Sequence, residues 1–74
     1  MSAIAKQIGH RIKIRRAVLN LNQAKLAQLL GITQSYLSRM ERGDRPIDAE
    51  MLDKMAQALE CNTSDLLNEK RRLA

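Results

Sequence analysis

Between Gln23 and Arg42 the chain reads QAKLAQLLGITQSYLSRMER, with Gly31 at its centre and no linker on either side. An Ala- and Leu-rich helical stretch meets one glycine, the residue that takes positive φ without Cβ strain. Ile32 comes next, and Thr33 then sits where an N-cap belongs, opening a second helix. Two helices joined this tightly must cross at a steep angle. Ala27 marks their closest crossing, where a larger side chain would force them apart. Ile32 and Leu37 are expected to bury between them. The second helix is polar and flanked by basic residues.

The remaining pattern is helical throughout. A first helix is predicted over Ala3 to Val18, with Ile4, Ile8, Ile12 and Leu19 near helical spacing and Ile14 and Val18 widening the stripe. Gly9 either permits close packing on a neighbour or is tolerated there. Asn20 is a left-handed terminator, and Asn22 can cap the next helix. That second helix runs from about Gln23 to Leu30, with Ala24, Leu26, Ala27, Leu29 and Leu30 inward or partly so. The third ends at about Arg42, with Gly43 as its C′ residue. Asp44-Arg45-Pro46 forms a turn. A fourth helix opens at Ile47 or Asp48 and presents Leu52, Met55, Ala56 and Leu59. After a break at Glu60-Cys61-Asn62, Thr63 is expected to cap a short last helix through Leu66 and Leu67. Lys70, Arg71 and Arg72 form a basic tail. The expectation is one all-α domain over residues 1–74, with no repeat or second domain.

Charge narrows the partners. Thirteen Lys and Arg oppose eight Asp and Glu, for a net charge of +5. Lys6, Arg11, Lys13, Arg15, Arg16 and Lys25 cluster early, while Asp44, Asp48, Glu50, Asp53, Glu60, Asp65 and Glu69 come later. The asymmetry points to a basic face for a polyanion. No apolar run approaches the roughly 20 residues that span a bilayer, and no secretory signal pattern is present. Cys61 is the single cysteine, so no internal disulfide can form and a reducing, cytosolic setting is expected. One His, one Cys, no phosphate-binding G-x-x-x-x-G-K and no metal-ligand cluster argue against an enzyme and against any cofactor. His10 is expected to be exposed.

Five segments together carry a resemblance: R-I-K-x-x-R from Arg11 to Arg16, L-x-Q-x-x-L-A from Leu21, L-S-R-M-E-R-G from Leu37, L-x-x-M-A-x-A-L from Leu52, and S-D-L-L from Ser64. In this order they resemble the lambda-repressor and Cro-like helix-turn-helix family of bacterial and phage DNA-binding regulators. The resemblance covers roughly Ile8 to Leu67. It implies an all-α, five-helix lambda-repressor-like domain, cytoplasmic and nucleoid-associated, with double-stranded DNA as partner. The third helix is then the recognition helix, entering the major groove.

Carried over by position, Gln34, Ser35, Ser38 and Arg39 are the base-reading candidates. Gln34 suits adenine and Arg39 suits guanine. Gln23 would hold backbone phosphate at a helix N-terminus and brace the first recognition-helix residue. Asn22, Arg11, Arg15, Arg42 and Arg45 are further backbone candidates. Tyr36 either packs over the second helix with its hydroxyl toward phosphate or lies exposed. Arg16 and Glu41 are implied to form a partly buried ion pair that orients the recognition helix without touching DNA.

The function implied is transcriptional regulation, as repressor or controller, by a homodimer on a palindromic operator. Its dimer surface is expected at Met51, Leu66 and Leu67. An alternative is a protein-interaction or antitoxin-type module on the same scaffold, in which Gln34 and Arg39 would be covered by other parts of the chain or by a partner. No seat for a small-molecule effector is evident.

Overall fold

In the computed structural model, which describes residues 3–67, five helices succeed one another: α1 (Ala3–Val18), α2 (Gln23–Leu30), α3 (Gln34–Arg42), α4 (Ala49–Ala58) and α5 (Thr63–Leu67). The basic tail at Lys70, Arg71 and Arg72 lies outside the described residues.

Each boundary has a local cause. Asn20 takes φ 56° after α1, a conformation Asn tolerates better than most residues. The Asn22 side chain accepts the Lys25 N–H at 2.8 Å, capping α2. Gly31 takes φ 71° and ends α2, and the Ile32 N–H closes back on the Ala27 carbonyl at 3.0 Å. Thr33 Oγ1 accepts the Tyr36 N–H at 3.1 Å, opening α3. Gly43, at φ 79°, ends it. Asp48 caps α4 by accepting the Met51 N–H at 2.8 Å.

The start of α5 differs from the sequence expectation. Thr63 is its first helical residue and not its cap. The Asp65 carboxylate reaches back to accept the Asn62 N–H at 2.9 Å, which is the returning half of a capping box. The turn before it holds a second left-handed residue, Glu60 at φ 58°. A glycine-like bend is imposed there on an ordinary side chain.

The helices enclose one core. α1 lies against α3 and α5, α2 sits between α3 and α4, and α4 reaches α5. Ile12, Leu26, Leu37, Met40, Met55, Leu59 and Leu66 are fully buried at its centre. Ala27 is buried at the crossing of α2 and α3, and Ile32 packs against the core from their junction. Parts of the expected apolar stripes stay outside. Only Ile8 and Ile12 of the α1 isoleucines are buried, while Ile4, Ile14 and Val18 are exposed. Ile14 lies about 200° around the helix from Ile12 and so cannot share its face. On α2, Leu26, Ala27 and Leu30 fill the wedge. Ala24 is exposed, and Leu29 is left at the rim of a groove beside Lys54, Gln57 and Ala58. No described helix is long and apolar enough to cross a membrane.

Candidate nucleic-acid interface

The site begins with how closely α1 approaches α3. A Cβ built on Gly9 would lie 2.5 Å from the Glu41 carbonyl oxygen, and closer still to that of Met40. Only glycine lets the two backbones meet here. At the other end of the contact, Lys6 lies against Gly43. α3 is thereby clamped along its last turn.

That approach brings Arg16 to Glu41. Arg16 Nε donates to Glu41 Oε2 at 2.7 Å, and Arg16 Nη2 donates to Oε1 at 3.0 Å. The Glu41 side chain is only 3 % exposed. Two parallel bonds from a planar guanidinium are the strong form of this pairing. A third Arg16 nitrogen, Nη1, donates to the Leu21 carbonyl at 3.1 Å, tying in the loop that leads to α2.

The pair continues outward. Gln23 Nε2 donates to Glu41 Oε1 at 3.1 Å, and Gln34 Nε2 donates to Gln23 Oε1 at 3.2 Å. A chain of side-chain bonds therefore runs from the half-buried Arg16 to the exposed first residue of α3. The bracing of Gln34 by Gln23 was implied by the family resemblance. The bond from Gln23 to Glu41 was not, because it depends on α1, α2 and α3 meeting at one point.

Beyond this chain lies the outer surface of α3. Gln34, Ser35 and Arg39 are exposed, and Ser38 is half-buried. Thr33, Ser35, Tyr36, Arg39 and Arg45 line a shallow depression of about 220 Å³ on this surface. Arg42 Nη1 donates to Ser38 Oγ at 3.3 Å, and its Nε pairs with Asp44 at 3.1 Å. Asn22 and Gln23 stand at the N-terminus of α2, next to Gln34.

Tyr36 meets the α3–α4 loop. It is half-buried against Ile47 and Met51, with the Arg45 guanidinium 4.5 Å from its ring centroid. That is a cation–π contact at the α3–α4 loop. It holds Arg45 beside the outer surface of α3.

Two expected backbone residues lie elsewhere. Arg15 Nε donates to the Leu59 carbonyl and its Nη2 to the Glu60 carbonyl, both at 3.0 Å. These are orphan acceptors at the end of α4, which a cation suits. Arg11 borders the same depression as Arg15, together with Ile14, Val18, Cys61, Asp65 and Leu66. The early basic residues thus do not form one face. Arg16 points to α3, while Arg11 and Arg15 point to the α4–α5 corner. Arg15 ties α1 to the end of α4, and nothing in its spacing marked a partner 44 positions away.

The expected dimer patch also divides. Leu66 is 1 % exposed and belongs to the core. Met51 is half-buried beside Tyr36, whereas Leu67 is 44 % exposed on α5. The helical turn at Leu66-Leu67 puts adjacent leucines on different sides, which spacing alone could not assign. Burial raises the Cys61 thiol above its ordinary value of 9.0, opposed by Arg15 and reinforced by Asp65. Among the described residues, no group of His, Cys, Asp and Glu gathers as a metal site.

Known proteins share this arrangement. The chain is 36% identical over 52 residues to an uncharacterized HTH-type transcriptional regulator of Sinorhizobium medicae, covering 70% of this chain and 37% of that protein. Among solved structures, the restriction-modification controller protein C.AhdI from Aeromonas hydrophila superposes with a TM-score of 0.82 at 32% identity, covering 88% of this chain and 98% of that one. The c2 repressor of Salmonella phage P22, solved with a synthetic operator, superposes with a TM-score of 0.75 at 33% identity, covering 81% and 91%. The five helices are thus the lambda-repressor-like fold. The helix-turn-helix family model matches residues 12–66, from the core of α1 to the core residue of α5, and the chain belongs to that family.

Proposed function

We propose that this protein is a sequence-specific double-stranded DNA-binding regulator, acting as a homodimer on a two-fold symmetric operator. The observation that carries the reading is the exposed row Gln34, Ser35 and Arg39 on α3, braced from behind by Gln23, Glu41 and Arg16. A polar helix held rigidly on its inner side and open on its outer side suits a major groove. Gln34 can bond adenine through one donor and one acceptor, and Arg39 can bond guanine O6 and N7. Ser35 and Ser38 add short, less selective contacts.

Phosphates flank this reading head. The N-terminus of α2 presents free N–H groups and a positive dipole end, favouring an anion beside Asn22 and Gln23. Arg42 and Arg45 are the phosphate ligands on the opposite flank. The operator-bound P22 c2 repressor supports DNA as the ligand class. The protein-interaction alternative requires Gln34 and Arg39 to be covered by other parts of the chain or by a partner, and no described part of the chain covers them.

One short recognition helix makes few base contacts, so two copies on paired half-sites are the economical arrangement. Leu67 is the interface residue of the expected set that remains exposed, and Ile14 and Val18 add apolar surface on the α1 side of α5. The test is selection of bound duplexes from a random pool. The expected result is a two-fold symmetric consensus. Flat enrichment across sequences overturns the reading.

A further inference from the structure

We infer that Glu41, buried behind Gln23 and Gln34, determines which base Gln34 reads. The inference rests on the DNA-binding reading above and concerns the polarity of two amide groups. A carboxamide has a donor end and an acceptor end. Which end faces a neighbour is set by what that neighbour can do.

Both Glu41 carboxylate oxygens accept from Arg16, so toward Gln23 the carboxylate is an acceptor. Gln23 must therefore turn its Nε2 toward Glu41 Oε1, which lies 3.1 Å away. The reverse orientation would set an amide oxygen against a carboxylate. With its Nε2 end turned to Glu41, Gln23 presents its Oε1 end to Gln34. Gln34 must then turn its own Nε2 inward, at 3.2 Å. One N–H of Gln34 is used, leaving one N–H and Oε1 for the groove. One donor beside one acceptor matches adenine N7 and N6. Reversed, Gln34 would turn Oε1 inward and its nitrogen outward, setting both N–H groups toward the groove beside one remaining lone pair, an arrangement that also meets the two acceptors of guanine. The carboxylate thus fixes two amides in series. Glu41 is a positioning residue, and the base preference is its readout.

The test compares base preferences of the unmodified protein, Glu41→Gln, Gln23→Met, the double variant and Gln34→Ala, each by selection from a random duplex pool. Gln34→Ala identifies the operator position that Gln34 reads. There the unmodified protein should prefer adenine over guanine by roughly ten- to a hundredfold, and both single variants should reduce this to within about threefold. The preference at the Arg39 position should stay unchanged. The double variant should lose no more than either single one, as expected for members of one chain. Melting curves separate the relay from unfolding: Glu41→Gln disturbs the Arg16 pair and lowers the melting temperature, whereas Gln23→Met leaves that pair intact. A full adenine preference retained by either single variant overturns the inference alone, and so does an equal loss at every position. An unmodified protein that enriches no sequence overturns the DNA-binding reading itself.

Discussion

Replacing Gly9 with alanine separates two opposite expectations. Helix propensity alone favours Ala over Gly by about 1 kcal/mol in a helix interior, so a freely exposed α1 would gain stability. The structure predicts a loss. A Cβ at this position would meet the backbone oxygens of Met40 and Glu41, with Glu41 O at 2.5 Å and Glu41 C at 2.8 Å, where ordinary contact begins at 3.4 Å. These are backbone atoms and cannot rotate away. α1 and α3 must separate by about 1 Å, in a core whose packing leaves little slack. Overpacking of this kind costs about 1–3 kcal/mol. The same displacement stretches the Arg16–Glu41 bonds, whose complete loss would cost about 3–5 kcal/mol when the pair is buried. With partial loss of the pair and the propensity gain subtracted, the net destabilisation is about 2–4 kcal/mol. For a domain of this size that lowers Tm by about 8–30 °C. Thermal unfolding monitored by circular dichroism measures it. A Gly9→Ala protein that melts at or above the unmodified one would refute the close-approach argument and leave propensity as the controlling effect.

Glu60→Gly relieves a left-handed conformation costing about 1–2 kcal/mol, against about 0.4–1 kcal/mol of added unfolded-state entropy; a Tm higher by a few degrees is expected, and a lower one contradicts it. Arg15→Met removes two bonds to the α4 terminus, so stability should fall by about 1–2 kcal/mol while operator affinity of the folded protein holds; a selective loss of affinity without a stability change would restore Arg15 to the DNA contacts. Arg45→Gln should weaken binding evenly across sequences and lower the salt slope by about one, which titrations at several salt concentrations can check. The Cys61 thiol is raised by burial above 9.0, so the folded state holds this proton more tightly than the unfolded chain. Its contribution is fully present below that value and is lost as pH rises through it; stability measured from about pH 8 to 11 should fall less steeply in Cys61→Ala, and identical curves would refute this.

Local chemistry was the legible part of the chain. Asn22, Thr33 and Asp48 cap their helices through bonds three residues long, and Gly31 and Gly43 end theirs through φ values that few other residues adopt. Such signals depend on neighbours in sequence. The Arg16–Glu41 pair spans 25 positions and came from family resemblance, not from spacing. Rotation of one helix relative to another was not legible. It sends Arg15 to the Leu59 carbonyl, buries Leu66 while exposing Leu67, and leaves Ile14 and Val18 outside the core. Glu60, an ordinary side chain, carried no sign of its left-handed bend. The base-reading candidates stand where a polar helix face put them, but the polarity of Gln34 depends on Glu41, two bonds further in.

In the proposed complex the outer surface of α3 touches DNA while the α4–α5 corner holding Arg11 and Arg15 does not. Backbone amide shifts of the labelled protein, tracked by NMR during titration with a selected duplex, test it most directly. The largest changes are expected at Gln23 and from Gln34 to Arg39, with Arg11 and Arg15 nearly still. Large changes at Arg11 and Arg15, with Gln34 to Arg39 unmoved, would contradict it.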